Sequence, residues 1–216
     1  MTIARILGYL LIVLIPASII LGNFNYLILN RSFYQSLYGK VGTYQNFENQ
    51  KIVNDATNNL FGYFRGKNTL DHNFFSTQAV SHLKDVRDLL VFANGLFYLS
   101  LIAALVIAIS LIFKRQSKII LGSLFVSSIA TIFFIAALGL GISSAFDSFF
   151  LKFHQILFTN TLWLFPADDN LIKLFPEQFF VEFANRLAIN IFISSAVIAI
   201  ITFILRAKSR SHILNT

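Results

Sequence analysis

Long apolar runs alternate with mixed polar segments along this chain. Four runs reach the length of about 20 residues that a helix needs to cross the hydrocarbon core of a bilayer. They extend from Ile6 to Leu29, from about Leu89 to Phe113, from Ile119 to about Phe146 and from Leu187 to Leu205. None of the four interiors contains Asp, Glu, Lys or Arg, each of which costs roughly 2.5–3.5 kcal/mol at a helix centre. The pattern therefore predicts an all-α, polytopic membrane protein with four transmembrane helices.

The first run lies close to the N-terminus, so a cleaved signal peptide is the alternative interpretation. The run is longer than a usual signal-peptide core, and "IPASII" makes a poor cleavage site. We interpret it as the first transmembrane helix, which Pro16 kinks without ending.

Composition excludes an ordinary soluble protein. Of the 216 residues, 56% are hydrophobic and 12% are charged, against about 25% charged in a typical soluble domain. The chain has no Cys, which excludes disulfides, thiolate metal ligands and a cysteine nucleophile.

The formal net charge of +7 is confined to one side of the predicted membrane topology. The N-terminal end, the short loop "KRQSK" and the tail "RAKSR" carry basic residues and no acidic ones: Arg5, Lys114, Arg115, Lys118, Arg206, Lys208 and Arg210. In the long connections 30–88 and 147–186, basic and acidic residues balance at ten each (7 + 3 and 5 + 5). The positive-inside rule predicts cytoplasmic termini and extracytoplasmic long connections. The basic tail fits anionic lipid headgroups as partners better than nucleic acid.

The two long connections are too rich in aromatic residues for plain linkers, and we predict that they form a cap of helical and irregular structure within a single domain, residues 1–216. Between Gln45 and Phe64, apolar residues recur at helical spacing and predict an amphipathic helix. Ser76 or Thr77 is placed to cap another helix, "TQAVSHLKDVRDLL", which we expect to continue into the second transmembrane run.

Each connection brings one histidine to the predicted outer rim of the helices. His82 and Asp85 are three residues apart and share a helix face, for which a solvated polar face is the simpler interpretation. His154 follows the third run, in "FHQILFTNTLWLFPADDNLIKLFPEQFF". In this stretch Trp163 suits a membrane interface, "PADDN" predicts a turn with a capping Asp, and Pro176 is expected to break a short helix. The other histidines, His72 in a polar turn and His212 in the tail, are not expected to join this pair.

The motifs "SHLKDVRDL" and "FHQILFTNTLWLFPADDNLIKLFPEQFF", joined to four transmembrane runs and an aromatic cap, resemble the bacterial lipoprotein intramolecular transacylase family. The resemblance implies an enzyme of the bacterial cell membrane that moves the sn-2 acyl chain of a lipoprotein's diacylglyceryl-modified N-terminal cysteine to the α-amino group of that cysteine. The product is a lyso-form lipoprotein. The resemblance also implies that two histidines at the boundary of cap and membrane are catalytic, and the matching positions are His82 and His154. We predict no metal and no cofactor.

These residue types suit ester-to-amide transfer. An α-amino group has a pKa near 7.7–8.0, so part of it is neutral close to pH 7. Two imidazoles with ordinary pKa values around 6.5 can divide the acid and base tasks, although the sequence does not assign which histidine takes which task. The substrate supplies the attacking amine, which agrees with the absence of a GxSxG motif and of Cys.

Five further residues are candidates for substrate binding or for orienting the histidines: Asp85, Trp163, Asp169, Glu177 and Arg186. Helix capping and interface anchoring are the competing roles for Asp169, Glu177 and Trp163. Arg186 is placed either to contact a carbonyl or lipid phosphate or to extend its side chain toward the headgroups.

Other functional classes fit less well. A metal-dependent membrane hydrolase would use both histidines with carboxylates such as Asp85 and Asp169, but no HExxH-like spacing is present. A non-enzymatic binding or assembly protein would tolerate loss of either histidine. A transporter is disfavoured because no charged or broken helix marks a site at the membrane midplane.

Overall fold

The protein is described here by a computed structural model, which covers residues 3–214 except for the side chains of residues 142–144 and 209–214. The side chains of Arg210 and His212, in the tail, are among those not described. The described chain is helical, with α1 Ile3–Ile28, α2 Arg31–Val41, a 3-10 helix Thr43–Asn46, α3 Gln50–Phe64, α4 Thr77–Phe113, α5 Ser117–Ser144, α6 Phe146–Leu157, α7 Asn170–Leu174 and α8 Glu177–Leu214.

Within the described residues, four helices are long and apolar enough to cross a membrane: α1, α4, α5 and α8. The predicted all-α fold with four membrane-spanning helices is confirmed. Pro16 lies inside α1 without ending it, as predicted. The predicted cap helix and the second transmembrane run are indeed one helix, α4.

The chain divides into two compact units. The first contains Met1–Asn25, Ala93–Leu140 and Leu187–Thr216, and the second contains Tyr26–Phe92 and Gly141–Arg186. The single domain predicted from the sequence, residues 1–216, stays a prediction.

The first unit is held by apolar contacts and by small polar side chains between helices. Leu11, Ile15 and Leu111 are buried together. The Ser123 hydroxyl donates to the carbonyl of Gly8 at 2.9 Å, and Ser18 donates to Ser100 at 3.1 Å. Such hydrogen bonds hold helices together where the surroundings are as apolar as the helices themselves.

The second unit has an aromatic core. The side chain of Asn30 caps α2 by accepting from the backbone N–H of Phe33, and that of Asn49 caps α3 by accepting from the N–H of Ile52. The buried faces of these helices pack with α4, α7 and the start of α8, and the core includes Tyr34, Tyr38, Val53, Leu60, Phe61, Leu83, Leu174 and Phe179. Edge-to-face ring contacts such as Tyr34 with Phe61, at 4.9 Å, are typical of this core.

Candidate active site

His82 is positioned by the first turns of α4. The helix begins at Thr77, and the hydroxyl of Ser76 accepts a hydrogen bond from the N–H of Ala79 at 3.2 Å, which satisfies one of the free donors of the first turn. Ala79 and Leu83 anchor this part of α4 in the aromatic core. His82 is 7% exposed and precedes the apolar part of α4, which begins at about Leu89.

His154 is positioned by α6. It is 8% exposed, and its ring lies between Phe150, at 4.2 Å, and Trp163, at 4.9 Å in a stacked arrangement. Its Nδ1 lies 2.8 Å from the carbonyl oxygen of Phe150, one turn earlier. Because a carbonyl oxygen only accepts hydrogen bonds, Nδ1 is the protonated nitrogen of the neutral ring. The lone pair is therefore on Nε2, and this is the nitrogen able to take a proton.

The two imidazoles lie close together inside an aromatic enclosure. Their centroids are 6.4 Å apart and their planes are inclined by 32°. Phe158 contacts both rings, at 5.0 Å from His82 and 5.8 Å from His154, and Phe165 lies 5.6 Å from His82. The two imidazoles and these rings therefore form one aromatic cluster.

Burial keeps the two imidazoles neutral near pH 7. Burial and, to a smaller extent, the charge of protonated His154 lower the pKa of His82 to about 4, against the opposing effect of Asp85. Burial also lowers the pKa of His154, against the effect of the Phe150 carbonyl. A buried neutral imidazole offers one donor and one acceptor. Within the described part of the chain, the buried Nδ1 of His82 has no hydrogen-bond partner, which is unusual for a buried polar atom.

The loop 158–169 is attached to α4 at three places. The hydroxyl of Ser76 donates to Asp169 at 2.7 Å. The amide of Gln78 donates to two backbone carbonyls of the loop, those of Leu162 and Leu164. Asn160 donates to Asp85 at 2.9 Å. This attachment brings aromatic residues of the loop against both histidines.

The predicted substrate-binding residues have different positions. Asp85 accepts its hydrogen bond from Asn160, and Trp163 covers His154. Asp169 caps α7 by accepting from the N–H of Leu171 at 2.8 Å, which confirms the predicted cap. Glu177 is exposed in the first turn of α8, where its carboxyl faces that of Asp147. Arg186 is exposed farther along α8.

Sequence reasoning missed the residues that assemble the site. Asn160 lies inside the second motif and Gln78 a few residues before the first, but neither was predicted to contribute, because their roles depend on long-range contacts with Asp85 and with the loop carbonyls. Phe158 and Phe165 belong to an aromatic stretch whose general composition suggested a membrane interface. No local signal distinguishes these two rings from the other Phe residues.

In the described part of the chain, carboxylates do not gather around the two histidines to form a metal site. Among the described residues there is no group of three or more His, Cys, Asp or Glu placed to hold a metal ion. The donor set that the metal-dependent hydrolase alternative requires is not assembled in this part of the chain, because Asp169 serves as a helix cap.

Fold and site together define a helical membrane protein with a buried histidine pair. Comparison with known proteins gives the particular family. A sequence model described as "Lipoprotein intramolecular transacylase Lit" matches residues 9–180, and the chain belongs to this family. Comparison with curated protein sequences gives no significant match.

Solved structures of one bacterial protein share the fold. The membrane-integral lipoprotein intramolecular transacylase Lit from Bacillus cereus is 25% identical, with a TM-score of 0.86 over 96% of this chain and 98% of that chain. Two further structures of that protein, carrying a His-to-Ala and a His-to-Arg substitution, match with 24% identity and TM-scores of 0.81. They cover 96% and 97% of this chain, and 96% and 94% of theirs. Family and fold thus agree with the resemblance seen in the two motifs.

Proposed function

We propose that this protein is an intramolecular acyltransferase acting on bacterial lipoproteins. It moves the sn-2 acyl chain of a diacylglyceryl-modified N-terminal cysteine to the α-amino group of the same cysteine and leaves a lyso-form lipoprotein. Family membership supports the class of reaction. The observation that carries the proposal is the 6.4 Å separation of the His82 and His154 rings inside an aromatic enclosure.

The reaction exchanges one bond for another and needs no external reagent. The amine nitrogen forms a bond to the ester carbonyl carbon, and the bond from that carbon to the glyceryl oxygen breaks. The amine loses a proton and the glyceryl oxygen gains one, so catalysis is a matter of proton transfer and positioning.

The two histidines divide this proton transfer. Nε2 of His154 takes the amine proton, because the hydrogen bond from Nδ1 to Phe150 leaves the lone pair on Nε2. His82, neutral at the start, receives this proton from His154 and passes it to the departing glyceryl oxygen, so that both imidazoles end in their neutral form. The lowered pKa of His82 supports this role, because an imidazolium with a low pKa gives up its proton readily.

The aromatic enclosure favours transfer over hydrolysis. Holding an amine beside an ester contributes up to about 7–11 kcal/mol in favourable intramolecular cases. Phe158 and Phe165 cover His82, and Trp163 covers His154. These rings exclude the water that would otherwise attack the ester.

Among the other candidate residues, the exposed Glu177 and Arg186 are proposed to contact the lipoprotein segment next to the cysteine or a lipid phosphate. Asp85 and Trp163 act close to the histidines. Both oxygens of Asp169 already accept hydrogen bonds that hold the loop to α4 and cap α7, so its contribution is to shape the site.

The membrane orientation is proposed from charge. The basic residues of the N-terminal end, the short loop after α4 and the tail place those segments in the cytoplasm of a bacterial cell. The histidine pair then faces the extracytoplasmic side of the cell membrane, where a lipid-anchored lipoprotein is accessible.

Expression in a bacterium whose lipoproteins carry a diacylglyceryl group and a free amine tests the proposal. Tandem mass spectrometry of the N-terminal lipopeptide is expected to show one acyl chain on nitrogen and one lost from the glyceryl group. If both chains remain on the glyceryl group while the protein accumulates in the membrane, the proposal is wrong. A lipopeptide that loses a chain without N-acylation would indicate a hydrolase instead.

A further inference from the structure

Trp163 and His154 form a stacked pair. Their ring centroids are 4.9 Å apart and their planes are inclined by 30°. The face of an indole ring carries negative charge density and attracts a cation that lies over it. The contact therefore favours the imidazolium form of His154, which is the form produced when this residue accepts a proton.

Asn160 holds the indole in this position. The Nε1–H of Trp163 donates to the backbone carbonyl of Asn160 at 2.9 Å. The Oδ1 of Asn160 accepts from the N–H of Leu162 at 3.0 Å and closes the turn that presents the indole. The Nδ2 of Asn160 donates to Oδ2 of Asp85 at 2.9 Å. One residue thus links the indole to α4, the helix that carries His82.

Gln78 secures the other end of the same turn. Its Nε2 donates to the carbonyl of Leu162 at 3.1 Å and to the carbonyl of Leu164 at 2.8 Å, on either side of Trp163. Both hydrogens of this amide are thus directed at the residues next to Trp163. Five hydrogen bonds that involve the side chains of Gln78, Asn160 and Trp163 thus hold the turn that places the indole against the His154 imidazole.

We propose that Asn160 is a positioning residue: it clamps the Trp163 indole against His154 through Asp85, and the indole stabilises the imidazolium that forms when His154 takes a proton. The role of this clamp in catalysis rests on the proposed function, whereas the placement of Trp163 against His154 does not depend on it. Asp85 thereby acts on His154 through the loop, in addition to its charge effect on His82.

Other titratable groups around His154 must be considered before its proton equilibrium is interpreted. The loop 158–169 contributes Asp168 and Asp169. The titratable residues on the packed helices are His82, Lys84, Asp85, Arg87 and Asp88 on the first turns of α4, Asp147 and Lys152 on α6, and Glu177, Glu182 and Arg186 on the first turns of α8. Of all these groups, the variants below change only Asp85.

The fluorescence of the indole reports on the clamp directly. Trp163 is the only Trp in the chain, and a protonated imidazole in contact with an indole quenches its emission. A pH titration of the wild-type protein in detergent is expected to show one quenching step below about pH 6.5, the ordinary pKa of His. His154→Asn should abolish the step, which assigns it to this residue.

Two variants distinguish the loss of the Asn160 hydrogen bonds from a general loss of folded structure. Asn160→Ala removes both side-chain hydrogen bonds without adding charge, and we expect at least a twofold loss of quenching amplitude. The midpoint should fall by about half a pH unit, as the loss of one cation–π contact implies. The double variant Asp85→Asn/Asn160→Asp exchanges donor and acceptor at the same total charge and should restore both values. Asn46→Ala, which removes an amide hydrogen bond to the carbonyl of Lys173, is the matched control and should titrate as the wild type.

Each outcome of these titrations either supports or contradicts the proposed clamp. Unchanged quenching and midpoint in Asn160→Ala would overturn it, as would a double variant that behaves like Asn160→Ala. Should Asn160→Ala fail to fold, the double variant decides alone: a retained step supports the clamp and a lost step contradicts it. No substrate is needed, so a missing acyl-transfer activity with an intact clamp would refute the proposed function and leave this inference standing.

Discussion

His154 donates a hydrogen bond from Nδ1 to the carbonyl oxygen of Phe150 at 2.8 Å, within a single turn of α6. The contact is local, so it is present wherever α6 is folded. It fixes the tautomer of the ring and leaves Nε2 as the basic nitrogen. The same residue is stacked on Trp163 and faces His82. One backbone carbonyl thus determines which nitrogen of His154 can accept a proton.

The tautomer leads to a test that separates folding from catalysis. In His154→Asn the side-chain amide replaces Nδ1 and can still donate to Phe150, but no basic nitrogen remains. We expect a folded protein whose rate of acyl transfer is at least about 100-fold lower, the usual minimum effect of losing a positioned base. The rate is measured on a synthetic diacylglyceryl lipopeptide. The control is His72→Asn, at an exposed turn position, and near-wild-type transfer by His154→Asn would show that Nε2 is not the base.

The rate should also depend on pH in a defined direction. Burial lowers the pKa of His82 and of His154, so both are in their neutral form above pH 6.5. The substrate amine, with a pKa near 7.7–8.0, then controls the rate. We expect the rate to rise roughly tenfold per pH unit between about 6.5 and 7.5 and to level off above 8. A rate that falls as pH rises through this range would mean that an imidazolium is required at the start.

The apolar runs predicted the fold, because a helix that crosses the hydrocarbon core needs an apolar run longer than those of most soluble helices. The N-cap position near Ser76 and the break at Pro176 were also readable, because each depends on neighbours in sequence. The amphipathic helix predicted from Gln45 begins at Gln50, since Asn49 caps it and Thr43–Asn46 form a separate 3-10 turn. Helix α2 was not predicted, because the aromatic content of its segment indicated a cap but no particular helix.

The site was less readable than the fold. Both histidines were identified by the resemblance of their motifs to a family, and the helical spacing of His82 and Asp85 alone favoured a solvated face. The partner of Asp85 is Asn160, 75 residues away in sequence. Contacts of this kind are set by tertiary packing, and hydrophobic periodicity carries no information about them.

Buried Tyr38 provides a measure of stability in the second unit. Its hydroxyl lies 2.8 Å from that of Thr57, and Thr57 also donates to the carbonyl of Val53. Tyr38→Phe therefore removes one buried hydrogen bond and should lower the free energy of unfolding by about 1 kcal/mol. Tyr44→Phe is the control, because the Tyr44 hydroxyl is 3.4 Å from its partner Asn54 and is not fully buried. Thermal unfolding in detergent checks both, and an equal effect of the two variants would contradict the account.

Gly62 tests the close packing of α3 against the turn that follows it. A Cβ at position 62 would overlap the side chain of Asn68, whose amide donates to the carbonyls of Asn59 and Thr69. Gly62→Ala should displace Asn68 and destabilise the protein by about 1–2 kcal/mol, despite the higher helix propensity of Ala. At Gly39, on α2, a Cβ meets no atom within 4 Å, so Gly39→Ala should be neutral or stabilising. Stabilisation by Gly62→Ala would show that Asn68 is not held as described.

The most direct test of the account follows one acyl chain through one turnover. Purified protein is mixed with a lipopeptide carrying an isotope label in its sn-2 chain, together with an unlabelled lipopeptide of different sequence, and the products are sequenced by tandem mass spectrometry. The account predicts that the label moves to the α-amino nitrogen of its own peptide, and that His82→Ala and His154→Ala each reduce this transfer at least about 100-fold while His72→Ala does not. Label on the second peptide, or transfer that persists without either imidazole, would contradict it.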